Sequence, residues 1–456
     1  MRLSSSYRPA HGTDGTGEPT AVLVLHAAGV ADRHTIASRK RWVIDVSVGG
    51  VEDGRAAGEP ARAADRGGRV PAGSSPLRGW VVLSLAVAVL MAVGCSGRTP
   101  TAPAGAGPAV RTIGGHRVLM DVAKQVEVYF AASATDAFRN RRAFLATVGG
   151  QPLIERYDQI SPTTTVNVQS VGKSLLSTLI GIALGEHRLR GLDQTVAELL
   201  PQYRAIMNPQ VEAITLRQLL TMTAGLPPDD VFYPRVLTGG NWVARILADG
   251  PVQPPDQGFL YSSAGSHLLS AILRQAVGRS VLDYAREKLF APLGIDTVPA
   301  AEPVEAPENL PAYEKAGFAW PVDPQGVHDG GGGQKLTARD LAKLGQLWLD
   351  AGRWRGRQLV PQAWLAEATG AVVPTGAAGQ PSGYGYQFWV TEADGHHAFA
   401  AQGYGGQLIE VVPDLDLVVV VQSRSPADPT QPADPGTASA EQYEEIVANL
   451  IAPAIG

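Results

Sequence analysis

Between about residues 110 and 456, apolar positions recur with helix and strand periods. Val118 to Phe130 has helical spacing, while Ala143 to Val148 and Pro152 to Tyr157 flank Gly149-Gly150 as a hairpin. Val168 to Leu184 predicts a helix of small and apolar residues. Thr215 and Gln218 form a capping box that opens a helix over Leu216 to Thr223, closed by Gly225 and Pro227. Thr337 and Asp340 cap another over Ala338 to Ala351, with Gly352 as its stop. Tyr384 to Val390, His397 to Ala401, Gln407 to Val412 and Leu417 to Gln422 read as successive strands, with Pro413-Asp414 and Asp416 turning the last pair. A Pro/Asp/Ala-rich loop from Ser425 to Thr437 leads to a last helix around Glu441 to Ile451. The first hairpin can share a sheet with the last strands only if the helical middle, about 186–330, is an insertion. The pattern predicts an α/β (α+β) fold: an antiparallel sheet flanked by helices, with an inserted, mostly helical domain.

The first part of the chain reads differently. Residues 1–77 hold only two aromatics, Tyr7 and Trp42, show no sustained period, and are expected to be a non-native or disordered extension. A start of translation at Val70, read from a GTG codon, would leave residues 1–69 out of the protein. After Arg78-Gly79 comes an apolar run from Trp80 to Val93, then Gly94-Cys95-Ser96-Gly97. A run of fourteen residues is short for a membrane span and suits the core of a signal peptide. Small residues leading into the chain's single cysteine resemble a bacterial lipoprotein signal over 78–95, with Cys95 acylated; a plain signal or anchor helix is the alternative. Ala92 stands where such signals usually carry Leu. Residues 96–110 read as a flexible tether, and 111–456 as the folded domain. The expected location is the cell envelope, outside the cytoplasm, on a lipid anchor.

Composition narrows the chemistry. With 38 Lys+Arg against 43 Asp+Glu, the net charge of −5 gives no footprint for nucleic acid. One cysteine excludes a disulfide framework and any thiolate-built metal site. Only seven residues are Lys, and only Lys173 has Ser three places before it. On a helix that spacing brings Ser170 and Lys173 to one face, about 5–6 Å apart at Cβ. A serine hydroxyl needs a neighbour to take its proton. Burial beside Val171, Leu175, Leu176 and Leu179 is expected to lower the Lys173 pKa and fit it for that work. Ser170 near the helix start would also aim its own N–H outward, toward an oxyanion.

Taken alone, Ser-x-x-Lys is a weak signal, but longer motifs accompany it. Val168-Gln-Ser-Val-Gly-Lys173, Ile214 to Leu226, Phe259-Leu-Tyr-Ser-Ser-Ala264, Leu289 to Ile295, Gly330 to Gly333 with Leu336 to Leu341, and Ala400 to Gln407 follow in order. Together they resemble the serine β-lactamase-related family: class C β-lactamases, DD-peptidases, esterases and 6-aminohexanoate-dimer hydrolases. The resemblance runs over about 112–452 and implies a β-lactamase/transpeptidase-like fold. It implies Ser170 as the acylated nucleophile, Lys173 as its base partner and Tyr261 as the relay to the leaving group. The backbone N–H groups of Ser170 and Tyr404 would form the oxyanion hole. No cofactor or metal is implied.

Two departures from the family pattern shape the substrate expectation. The second motif is Tyr261-Ser-Ser263, with a hydroxyl where Asn is usual. The third is Ala401-Gln402-Gly403, without the cation that binds a substrate carboxylate. Both favour hydrolysis of a small ester or amide over β-lactam or peptidoglycan chemistry. DD-peptidase or β-lactamase activity and a non-catalytic sensor are the alternatives. Ser263, Gln402, Gly403, His328 and Tyr233 are the expected substrate-side residues. His267 reads as structural.

Overall fold

The computed structural model describes residues 22–25, 46–49, 109–132, 137–376, 381–424 and 437–456. The chain divides into two compact units, Met1–Arg98 and Thr99–Gly456. In the first, Val22–Leu25 pairs antiparallel with Val46–Gly49. This ribbon, four residues a side, is too short to register as a period. Cys95, the apolar run Trp80 to Val93, the tether as far as residue 108 and the loop 425–436 lie outside the described residues. Among the described residues no helix is long and apolar enough to cross a membrane.

The second unit is built on an eight-stranded sheet. Its strands are β1 (Arg141–Val148), β2 (Gln151–Tyr157), β3 (Val373–Pro374), β4 (Gly383–Tyr384), β5 (Trp389–Ala393), β6 (His396–Gly403), β7 (Gln407–Val412) and β8 (Leu417–Ser423). They lie in the order β3-β4-β5-β6-β7-β8-β1-β2, every neighbouring pair antiparallel. Gly149 and Gly150, both at positive φ, make the two-residue turn between β1 and β2. The last strand pairs with the first, Val419 opposite Ala146 and Val421 opposite Phe144. The early hairpin and the late strands therefore share one sheet.

Helices cover both faces of that sheet. Seven matter here: α1 (Val122–Ala132), α2 (Val171–Gly185), α3 (Leu216–Leu220), α4 (Asp229–Val236), α5 (Ser263–Val277), α6 (Ala338–Leu349) and α7 (Ala440–Ile446). Along β8, Leu417, Val419 and Val421 enter the core beneath α1 and α7, while Val418 and Val420 enter the core beneath α2 and α6. A strand buried on both faces reads as one apolar run, as Leu417 to Val421 does. Leu341, Leu344 and Leu347 of α6 are fully buried, each worth about 1.5–3 kcal/mol of transfer free energy. Helices α3, α4 and α5 pack together, with α5 against α2.

Several element limits differ from the sequence pattern. The helix expected from Val118 begins at Val122, because Gly114 and Gly115 at positive φ turn a short hairpin, Val110–Ile113 with His116–Leu119. Val118 packs in its core and bridges to Ile455. The strand expected over Tyr384 to Val390 is split into β4 and β5. Gln387 at φ 64° leaves the ladder, and its backbone N–H and side-chain amide donate to the Leu220 carbonyl at the end of α3. The capping boxes at Thr215 and Thr337 both form. Helix α3 is cut short at Leu220, and Met222 follows at positive φ.

Candidate active site

Ser170 is the N-cap of α2, so the helix starts three residues later than its apolar pattern does. The backbone ahead of it is forced. Gln169 sits at φ 52°, its N–H held by the Asn167 side chain at 2.9 Å. Left-handed backbone at a non-glycine residue costs energy and persists where the surroundings impose it. The tail of β6 supplies part of that imposition: a Cβ on Gly403 would stand 2.5 Å from the Val168 carbonyl oxygen and 3.1 Å from Gln169 Cβ. From the other side, a Cβ on Gly332 would stand 2.2 Å from the Gln169 carbonyl oxygen and 3.1 Å from the Ser170 amide nitrogen. Two glycine segments thus grip the turn that presents Ser170.

Lys173 lies one turn along α2, 1% exposed. Its ammonium donates to Ser170 Oγ at 3.0 Å, Ser263 Oγ at 2.8 Å and the Gly331 carbonyl at 2.8 Å. Three donors meet three acceptors, the full capacity of an ammonium. Burial pulls its pKa down, but Tyr261, Asp229 and Asp329 outweigh burial and hold it above the ordinary lysine value. This corrects the sequence expectation that an apolar flank would lower it. The flank is there; the acids brought in from α4 and the 323–333 loop decide the sign.

Tyr261 lies alongside, its ring centroid 4.9 Å from Lys173 Nζ. It stacks on Trp389 at 5.7 Å and 12°, while Phe259 packs on both Trp389 and Tyr384. Ser263, the first residue of α5, is completely buried. Its hydroxyl accepts from Lys173 and donates to Asp229 Oδ2 at 2.9 Å, and its N–H donates to Asp229 Oδ1 at 2.6 Å. The hydroxyl is engaged with protein on both sides. Asp229 was not among the residues expected from sequence. It follows Pro227-Pro228 as an ordinary acidic helix start, and nothing in its neighbourhood points to Ser263, 34 residues on.

The other expected substrate-side residues divide. Gly403 meets the Ser170 turn as described, and Tyr404 after it is well exposed. Gln402 requires a correction. Strand alternation puts Ala401 in the core beneath α2 and turns Gln402 to the other face, where its amide donates to Glu444 of α7 at 2.7 Å. Tyr233 is buried, its hydroxyl 2.6 Å from where a Cβ on Gly331 would lie. Burial and the carboxylates of Asp329, Asp229 and Glu305 push its phenol well above the usual range.

His328 is 1% exposed and packs edge-on against Trp320. Its Nε2 stands 3.0 Å from a Glu302 oxygen, and burial pushes the ring down to about 4, so it is neutral at pH 7. His267, expected to be structural, is fully buried, 3.3 Å from Asp323 and 3.7 Å from Asp329. Burial alone would lower its pKa, but the two carboxylates raise it.

A half-buried serine within hydrogen-bond reach of a buried lysine, beside a tyrosine ring and at a turn gripped by two glycine segments, has the parts that a serine nucleophile requires. A family model described as Beta-lactamase matches residues 134–443. The chain belongs to the beta-lactamase family. Penicillin-binding protein 4 of Amycolatopsis lactamdurans is 28% identical over 276 residues, 55% of this chain and 70% of the relative. Protein flp of Staphylococcus aureus (strain MW2) is 28% identical over 159 residues, 34% of this chain and 32% of flp. The match thus spans about a third of the length of that curated relative. The solved structure of EstCE1, a hydrolase with promiscuous acyltransferase activity, shares the fold with a TM-score of 0.56 at 21% identity, over 72% of this chain and 99% of that one.

Proposed function

We propose that this protein is a lipid-tethered hydrolase of the cell envelope that cleaves a small carboxylic ester or amide through an acyl-enzyme on Ser170. The observation that carries the reading is the Lys173 ammonium, fully hydrogen-bonded and 3.0 Å from Ser170 Oγ, with Tyr261 beside it. One proton must leave the Lys173–Tyr261 pair before Ser170 can react. Tyr261, whose ring lies beside the Lys173 ammonium, is the proposed proton acceptor, since negative charge arising on its oxygen faces that cation. That oxygen takes the Ser170 proton as Oγ bonds to the substrate carbonyl carbon. It then gives the proton to the departing alcohol or amine as the acyl bond breaks.

In the second half of the cycle water attacks the acyl carbon, loses a proton to the same oxygen, and Ser170 leaves and recovers it. The carbonyl oxygen carries negative charge in each tetrahedral intermediate. The backbone N–H groups of Ser170 and Tyr404 are the proposed donors to it. Losing one such donor costs about 2.7–4 kcal/mol in related chemistry.

Ester or amide cleavage is favoured over the peptidoglycan reading by what surrounds the serine. The third motif offers Ala401, which is apolar and buried, and Gln402 turns to the other face of the sheet. Neither supplies a cation for a D-Ala-D-Ala or penicillin carboxylate. The likeness to a penicillin-binding protein keeps that reading as the rival. Hydrolysis of a short-chain p-nitrophenyl ester, compared with a chromogenic cephalosporin and with a Ser170→Ala control, decides. Ser170-dependent ester turnover faster than cephalosporin turnover is the expected result; full activity in Ser170→Ala refutes the nucleophile.

The tether rests on the apolar run Trp80 to Val93 leading into Cys95. Incorporation of a labelled fatty acid that disappears in Cys95→Ser tests it. A protein that takes no label in its bacterial host overturns it.

A further inference from the structure

Asp229 is tied to the centre by a short chain of contacts. Its carboxylate takes both the N–H and the hydroxyl of Ser263, at 2.6 and 2.9 Å. That hydroxyl accepts from Lys173 at 2.8 Å, and Lys173 donates to Ser170 at 3.0 Å. Every link is directional. Ser263 has one hydroxyl proton, and giving it to Asp229 leaves its oxygen as an acceptor for the ammonium. Without the carboxylate the hydroxyl could turn and present its proton to Lys173, which has no lone pair to receive it.

The charge arrangement agrees with the geometry. Lys173 is buried among Tyr261 from the segment before α5, Asp229 from α4, and Asp329 from the 323–333 loop. Behind these stand Tyr233, whose hydroxyl reaches Gly331, and His267, which faces Asp323 and Asp329. Asp329 contributes by accepting the Gly331 N–H at 2.8 Å, steadying the segment whose carbonyl accepts from Lys173. A buried ammonium without anionic neighbours would shed its proton.

We propose that Asp229 is a positioning residue for the Ser170 reaction, which acts through Ser263 to hold Lys173 charged and aimed at Ser170 Oγ. This rests on the Ser170 acyl-enzyme reading. It also gives the hydroxyl at the second motif a purpose: Ser263 serves Lys173 and the carboxylate rather than a substrate amide.

The test compares Asp229→Asn, Asp229→Glu, Ser263→Ala and the Asp229→Asn/Ser263→Ala double variant, using the full chain, a p-nitrophenyl ester and a Ser170→Ala control. Asn keeps the shape of Asp and removes the charge. Asp229→Asn is expected to lower kcat about 10- to 100-fold, the size of losing one buried charge-assisted hydrogen bond, with KM within about threefold. The alkaline limb of its kcat/KM profile moves to lower pH, because Lys173 has lost an anion that raised it. The double variant is no slower than the worse single, since both act on one path, and Asp229→Glu recovers part of the loss.

A wild-type kcat and alkaline limb in a folded Asp229→Asn, with Ser170→Ala inactive, overturns the proposal and leaves the nucleophile standing. So does additive loss in the double variant. Unimpaired turnover in Ser170→Ala instead sinks the reading beneath it. Should Asp229→Asn fail to fold, Ser263→Ala alone decides: an unchanged alkaline limb there overturns the proposal.

Discussion

Lys173 Nζ donates to Ser170 Oγ across 3.0 Å while giving its two other protons to Ser263 Oγ and the Gly331 carbonyl. The lysine is held in its donor form by geometry as well as by charge. A neutral amine has one donor fewer and a lone pair in its place, so one serine hydroxyl would have to turn and donate to it.

Replacing Lys173 with Met, which is similar in length and has no charge, strands those three acceptors and removes the cation beside Tyr261. Ester turnover is expected to fall by about 10²–10³, the size of removing one group that stabilises charge in the transition state. Labelling of Ser170 by a phosphonate ester is lost in step. Mass spectrometry of the labelled protein checks this, and labelling at the wild-type rate contradicts it.

The same lysine sets a pH limit. Its folded pKa lies above its ordinary value of 10.5, so the stability it contributes is full below about pH 10.5 and is lost as pH rises through the folded value. The melting temperature of the wild type is expected to fall more steeply than that of Lys173→Met once pH passes about 10.5. Parallel scans of the two proteins between pH 9 and 11.5 make the comparison, and superimposable slopes argue against it.

Gly403→Ala tests the contact between β6 and the nucleophile turn. The added Cβ would stand 2.5 Å from the Val168 carbonyl oxygen, which belongs to the backbone and cannot swing aside. Strand and turn must separate, at a cost of about 1–3 kcal/mol. Displacing the reacting groups by an ångström costs about 10²-fold. We expect kcat to fall by that order in a protein that still folds, as measured by steady-state kinetics beside a thermal melt.

Glu444 of α7 is half-buried against the buried Glu410 of β7, and burial pushes Glu444 up to about 7. A carboxyl raised on folding favours the folded state while protonated, so its contribution falls as pH climbs from about 4.5 to about 7. The neutral His328 imidazole acts in the opposite sense across pH 4 to 6.5, and comparing variant with parent removes it. Glu444→Gln keeps an oxygen for Gln402 and removes the charge. Its stability relative to wild type is expected to rise between pH 4.5 and 7 and level off above, by no more than about 3 kcal/mol. Denaturant melts at pH 4.5 and 8 read the difference.

The Ser170–Lys173 pair was legible because an i,i+3 spacing needs only one local helix. The hairpin glycines and the capping boxes were legible for the same reason: each is settled within four residues. Gln402 was misread because a motif names residues in order but not the sheet face each occupies, and one step along a strand reverses the face. The split between β4 and β5 was missed because Gln387 is drawn out by carbonyls at the end of α3, which are far away in sequence.

What the chain settles alone is therefore most of the longer helices and strands and the serine–lysine spacing, carried by near neighbours, and the family, carried by the order of its motifs. Tertiary structure decided the charge state of Lys173. Apolar neighbours in sequence argued for a lowered pKa, but Asp229 and Asp329 converge on the ammonium from two other segments. Electrostatic effects depend on distance in space, and that distance exists only once α2, α4, α5 and the 323–333 loop have packed together.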